Sequence, residues 1–211
     1  LFNLRRMLMN KSFIIKIILL CLVTIKVSAT EKVILFGDSL MAGYGLPKEE
    51  HLSVVLQKSL ELEGYNIEIV NGSVSGSTSA GGLNIAEWTF SENNIDLMIL
   101  CLGANDMLRG IKPNETEKNL EKIIKIAKLK EIEIILAGML APTSYGTEYK
   151  KNFDQIYLKL SKKYDLKLIP FLLEGVAFNP GLNLSDGIHP NKEGTVVISK
   201  TLKKNILNYI N

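Results

Sequence analysis

Five short apolar runs of strand length alternate along this chain with amphipathic segments of helix length, and that alternation limits the fold more than any other feature. The runs occupy residues 33–36, 67–70, 97–102, 132–136 and 166–169. The third is apolar throughout, as a strand buried on both faces must be. After the first run, Leu52, Val55, Leu56 and Leu60 recur at helical spacing. Leu120, Ile123, Ile124 and Ala127 do so after the third, and Phe153, Ile156, Tyr157, Leu160 and Tyr164 after the fourth. Ile198, Leu202, Ile206 and Tyr209 line a last helix. Asn114 with Glu117 three residues on predicts a capping-box start for the second of these helices. Asn191 is placed to cap the last. No repeat or linker interrupts the series. The pattern predicts a single three-layer α/β domain over residues 30–211, with a mostly parallel sheet.

In such sheets the ligand crevice lies beyond the carboxyl ends of the strands. Four blocks fall there. Gly37-Asp38-Ser39-Leu40 follows the first run, and Asn71-Gly72-Ser73-Val74-Ser75-Gly76 the second. Gly103-Ala104-Asn105-Asp106 follows the third, and Asp186-Gly187-Ile188-His189-Pro190 precedes the last helix. The types suit acyl transfer. A serine hydroxyl is a weak nucleophile until a base takes its proton. His189 is one of two histidines in the chain, and Asp186, three residues earlier, is within reach of its ring to fix the tautomer. The N–H groups of Ser39 and Gly76 and the Asn105 amide are candidate donors to an oxyanion. A histidine base, with an ordinary pKa of roughly 6.5, predicts activity falling below about pH 6.

Blander roles exist for each residue. Ser39 is also a good helix cap, and Gly76 and Asn105 suit turns. The Ser-rich stretch 73–79 has a loop composition. Asp106 suits a cap, Asp38 a structural hydrogen-bonding role, Arg109 a solvated rim. His51 has no acid nearby in sequence and reads as structural or surface. The stretch 72–76 imitates a Gly-x-Ser-x-Gly elbow but carries Val74 at its centre, so the α/β-hydrolase motif is absent. No zinc-type His or Cys spacing occurs, and no basic, aromatic-interleaved patch for nucleic acid.

Taken in order, the blocks resemble those of the SGNH hydrolases, also called GDSL esterases. The stretch from Gly37 through Tyr44, Gly76, Gly103-x-Asn105-Asp106, Leu108-Arg109-Gly110, Leu140-Ala141-Pro142, Tyr145-Gly146 and Asp186-x-x-His189-Pro190 all fit. Within that family they are most similar to the bacterial periplasmic thioesterase I/lysophospholipase/arylesterase group. The resemblance implies a flavodoxin-like fold with a five-stranded parallel sheet and no cofactor or metal. It implies Ser39 as nucleophile, Asp186 and His189 as its partners, and an oxyanion hole from Ser39, Gly76 and Asn105. It also implies that 140–146 forms a mobile loop over an acyl group; 171–178 is apolar enough to form the opposite wall. The expected substrates are small acyl esters, lysophospholipids or acyl thioesters. Two alternatives stay open: a carbohydrate O-acetylesterase, and a non-catalytic lipid- or sugar-binding module of the same fold.

The formal charge of +3 is unevenly spread. Residues 1–29 hold Arg5, Arg6, Lys11, Lys16 and Lys26 and no acid, so 20 of the 25 basic residues are left against all 22 acids. A basic start, an apolar stretch 17–23 and Val27-Ser28-Ala29 read as a signal peptide with a cleavage site, which predicts a periplasmic or secreted protein. A retained anchor is the competing reading, but the apolar run falls short of the roughly 20 residues a span needs. After cleavage the chain keeps one cysteine, Cys101, inside an apolar run, where it reads as a small core residue. A monomer is expected.

Overall fold

The third apolar run becomes the central strand because nothing in it asks for water: all five residues of β3 (Leu97–Cys101) are buried. In the computed structural model, which describes residues 30–91 and 94–210, β1 (Glu31–Gly37) pairs in parallel with β3 on one side and with β2 (Ile67–Asn71) on the other. Next come β4 (Glu133–Ala137) and β5 (Lys167–Ile169), giving the order β2-β1-β3-β4-β5. This is the flavodoxin-like doubly wound order, as expected.

Seven helices connect or follow the strands: α1 (Ser39–Ala42), α2 (Leu52–Leu62), α3 (Ser79–Ser91), α4 (Ala104–Leu108), α5 (Pro113–Leu129), α6 (Thr147–Tyr164) and α7 (Lys192–Ile210), counted among the described residues. Right-handed crossovers decide their faces. The chain steps from β1 outward to β2, then reverses to β3, β4 and β5, so the connections change face at the reversal. Accordingly α2 packs on α7, while α5 packs on both α3 and α6. The reversal opens a crevice between the ends of β1 and β3, and the blocks after those two strands flank it.

The predicted helical stripes are the buried ones, with three exceptions. Val55 is half-buried. Tyr209 is exposed, and Tyr164 is half-buried with its hydroxyl donating to Glu121 at 2.5 Å. The Asn114–Glu117 capping box does not form. Helix α5 starts one residue earlier, with Pro113 in its first turn and Lys112 at the cap position making no side-chain bond. Proline's fixed φ favours that start and its missing N–H needs no cap. Asn191 does cap α7, accepting from Gly194 N at 3.0 Å.

Helix α3 is an element the hydrophobic pattern did not announce. It begins at Ser79, at the end of the loop-like stretch, and includes Ala80, Gly81 and Gly82. A Cβ on Gly82 would run into Leu102, with Phe36 close behind. Small residues there let the helix approach the sheet, at the expense of the apolar periodicity that would have revealed it. The residues of the expected leader, 1–29, lie outside the described residues. Among the described residues, no helix is long and apolar enough to cross a membrane.

Candidate active site

Two glycines shape the crevice. Gly37 ends β1, where a Cβ would meet the Cys101 carbonyl oxygen at 2.6 Å and Met41 Cγ at 2.8 Å. Only glycine lets the chain turn there into α1. Gly103 has φ +121°, outside what L side chains readily adopt, and a Cβ on it would collide with the Tyr157 hydroxyl. That hydroxyl donates to the Leu102 carbonyl at 2.9 Å. The two turns deliver Ser39 and Asn105 to one cleft.

Ser39 is the first residue of α1, so the helix itself offers its N–H no acceptor. Its Oγ lies 2.9 Å from His189 Nε2, across 150 positions of sequence. His189 Nδ1 lies 2.7 Å from Asp186 Oδ2. The carboxylate can only accept, so Nδ1 carries the proton and Nε2 is left to accept from the serine hydroxyl. Asp186 Oδ1 also accepts the backbone N–H groups of Ile188 at 2.8 Å and His189 at 3.0 Å. These bonds, first that of the His189 N–H, hold the carboxyl down to about 2. Asp186 therefore stays ionised through the neutral range. Tyr44 lies against the imidazole, ring centres 4.4 Å apart. Composition and spacing gave no separate signal for Tyr44 as a neighbour of His189.

Asp38 sits beneath Ser39, fully buried. It accepts from Leu40 N at 3.1 Å and from Asn105 Nδ2 at 3.3 Å. Its role is the structural one expected, with one addition: it grips the amide of Asn105. Burial pushes its pKa up to about 6, against the opposing pull of those two hydrogen bonds and the nearby His189.

Asp106 does act as a cap, but for another helix. Its carboxylate accepts Ser79 N at 2.7 Å at the start of α3, the Ser79 hydroxyl, and the Thr116 hydroxyl at 3.1 Å. One buried carboxylate thus ties the blocks after β2 and β3 to α5. Arg109 meets the same region from outside, donating to the Gly76 carbonyl at 2.9 Å. Gly76 itself has φ +78° and is exposed. His51 Nε2 lies 3.0 Å from the Leu46 carbonyl, a structural contact. Cys101 is buried in the core, where desolvation pushes its thiol well above the ordinary range.

Ser39, Asn105 and His189 line a cleft of about 610 Å³. Gly76 is not among the residues lining it. Both predicted walls contribute, with Leu140, Ala141, Pro142 and Thr143 from one segment and Phe171, Leu173, Ala177 and Phe178 from the other. Among the described residues no group of three or more His, Cys, Asp or Glu side chains is placed to hold a metal ion.

Similarity to known proteins extends over most of the chain. Arylesterase from Vibrio mimicus is 34% identical over 182 residues, covering 86% of this chain and 91% of that protein. Thioesterase 1/protease 1/lysophospholipase L1 from Escherichia coli is 32% identical over 192 residues, 91% of each chain. The crystal structure of the psychrotrophic esterase EstA from Pseudoalteromonas sp., inhibited by monoethylphosphonate, superposes with a TM-score of 0.82 at 29% identity, covering 86% of this chain and 99% of that one. The pattern of the GDSL-like lipase/acylhydrolase family matches residues 35–196. A match over that much of its length means that the chain belongs to the GDSL-like lipase/acylhydrolase family.

Proposed function

We propose that this protein is an exported serine hydrolase that cleaves carboxylic esters and thioesters through an acyl-enzyme. In this reading Ser39 Oγ attacks the acyl carbonyl while His189 Nε2 takes its proton. Asp186 holds the ring in the tautomer that leaves Nε2 free and supports the imidazolium that forms. The Ser39 and Gly76 N–H groups and Asn105 Nδ2 receive the charge that develops on the carbonyl oxygen. His189 then returns the proton to the departing alcohol or thiol. Water, deprotonated by the same imidazole, releases the acid and restores the hydroxyl.

The observation that carries the reading is the unbroken run of contacts from Ser39 through His189 to Asp186, 2.9 and 2.7 Å, opening on an apolar cleft. The names of the relatives, arylesterase and thioesterase 1/protease 1/lysophospholipase L1, support the same class of substrate. Export rests on the acid-free basic and apolar composition of residues 1–29.

The test pairs activity with covalent labelling. A fluorophosphonate should label the protein once, at Ser39, and p-nitrophenyl esters and an acyl thioester should be hydrolysed. Ser39→Ala should lose both while keeping its circular dichroism. Turnover retained by a clean Ser39→Ala preparation would remove Ser39 from the mechanism. Absence of labelling in the unaltered protein would favour a binding module, and strict preference for acetylated sugars a carbohydrate esterase.

A further inference from the structure

The imidazole of His189 has few restraints from its own segment. His189 follows Ser185, Asp186, Gly187 and Ile188, all of them exposed. Two hydrogen bonds hold its ring, one from Nδ1 to Asp186 and one at Nε2 with Ser39. Ring nitrogens donate and accept in the plane of the ring, and such bonds tolerate bending of roughly 30°. They set where the two nitrogens point but resist a tilt of the ring only weakly. A ring held at two edges needs a contact on its face.

Tyr44 supplies that contact. Its ring centre lies 4.4 Å from that of the imidazole, with the two planes 38° apart. Tyr44 is also tied to the nucleophile. Its N–H donates to the Ser39 carbonyl at 3.4 Å, and the N–H of Gly43 bonds the same oxygen. One residue thus touches the backbone of Ser39 and the side chain of His189.

The turn that carries Tyr44 is wedged on both flanks. Gly43 sits against the His51 ring and Gly45 against the Leu184 side chain, so closely that a Cβ on them would come to 2.5 and 2.7 Å. His51 Nε2 bonds the Leu46 carbonyl at 3.0 Å, so the same ring backs the turn and closes it. Leu184 belongs to the segment of His189. Its N–H donates to the His189 carbonyl at 2.7 Å, and its carbonyl accepts from Gly187 at 2.9 Å. The 43–46 turn therefore docks on that segment at two points, the Leu184 side chain and the His189 ring. Yet Tyr44 is 52% exposed and is not among the residues lining the acyl cleft. It neither fills the core nor meets the acyl group.

We propose that Tyr44 is a positioning residue for His189, its ring keeping the imidazole in line between Ser39 and Asp186 through acylation and deacylation. The inference rests on the serine-hydrolase reading above. An aromatic face also attracts a cation within about 6 Å, so the contact persists when the imidazole becomes imidazolium.

The test compares Tyr44→Leu and Tyr44→Phe with the unaltered protein. It reads steady-state kinetics on p-nitrophenyl butyrate, the rate of fluorophosphonate labelling, thermal unfolding and the imidazole proton resonances by NMR. Both half-reactions use His189, so Tyr44→Leu should lower kcat and the labelling rate about tenfold with KM unchanged, the scale of one aromatic pair contact. Tyr44→Phe keeps the ring and should keep most of both. The His189 resonances should shift in Tyr44→Leu, which lacks the ring current, and hold in Tyr44→Phe. Unchanged kcat or unmoved resonances in Tyr44→Leu would overturn the proposal. So would a rise in KM with kcat held, which would make Tyr44 a substrate contact. An equal loss in Tyr44→Phe would overturn it by making the hydroxyl the acting group, and loss of the fold in Tyr44→Leu by making the ring structural. An unaltered protein that neither labels nor cleaves an ester would overturn the hydrolase reading instead, and the resonances would still report whether Tyr44 orders the imidazole.

Discussion

Asn105 donates its side-chain amide to the buried carboxylate of Asp38 at 3.3 Å. One N–H of the amide is spent on that bond, and the other is fixed by it. Asp38→Asn replaces an acceptor with a second amide, whose NH₂ would oppose that of Asn105 or force it to flip. The expected result is a fall in kcat of about 10²-fold with KM little changed, the size of losing one oxyanion donor. Steady-state kinetics on a p-nitrophenyl ester checks it. An equal change in KM alone would mean that Asp38 acts on binding.

The same carboxyl predicts a pH dependence of stability. Burial raises it from 3.8 to about 6 in the folded protein. Folding therefore favours the protonated form, and the folded state binds more protons than the unfolded one between those values. Stability from this group is fully present below about pH 4 and is lost as pH rises through 6, by about 3 kcal/mol. Asp186 and Glu121, both held near 2, titrate below that window with the opposite sign. Urea unfolding from pH 4.5 to 7.5 should show the difference between the unaltered protein and Asp38→Asn changing by that order. Parallel curves would refute it.

Asp186→Asn would present an NH₂ group either to His189 Nδ1 or to the Ile188 and His189 N–H groups. It would favour the tautomer with the proton on Nε2, which cannot accept from Ser39. We expect kcat to fall about 10³-fold, with little change in the urea midpoint because Asp186 is partly exposed.

The wall over the cleft is anchored at one residue. Asp154 Oδ1 accepts Ala141 N at 2.8 Å, and Lys150 Nζ donates to Ala141 O at 2.7 Å while also contacting Asp154 Oδ2 at 2.7 Å. Asp154→Ala would leave the N–H of buried Ala141 without an acceptor, costing about 2 kcal/mol. KM for longer-chain esters should rise several-fold as the segment beyond Ala141 loosens. Urea unfolding and a chain-length series read the two effects separately.

Gly103→Ala would place a methyl group into the Tyr157 hydroxyl at a φ of +121°. The expected cost is about 3 kcal/mol, with activity falling as Asn105 is displaced. Tyr157→Phe in the same background should recover part of the stability.

Much of this architecture was legible before any coordinates. Apolar runs at the right spacing gave all five strands, because a strand buried on both faces needs an uninterrupted run such as 97–101. The blocks that follow those strands gave the candidate site, because a parallel sheet gathers its strand ends on one edge. What stayed hidden depends on contact rather than on pattern. Helix α3 uses glycine and alanine to approach the sheet, so it carries little periodicity. Helix α5 starts on Pro113 and not on Asn114, because proline needs no cap. Asp106 caps a helix 27 positions earlier in the chain.

The sequence by itself determined which chemical groups are available and that they emerge beyond the carboxyl ends of the strands, since strands alternating with helices make a parallel sheet. Only the tertiary structure decided their distances and their surroundings. It brought Ser39 and His189 within 2.9 Å, buried Asp38 against Asn105, and laid Tyr44 against His189. The reason is physical: hydrogen bonds and desolvation act over a few ångströms, and residues 150 positions apart acquire such separations only when the whole sheet has packed.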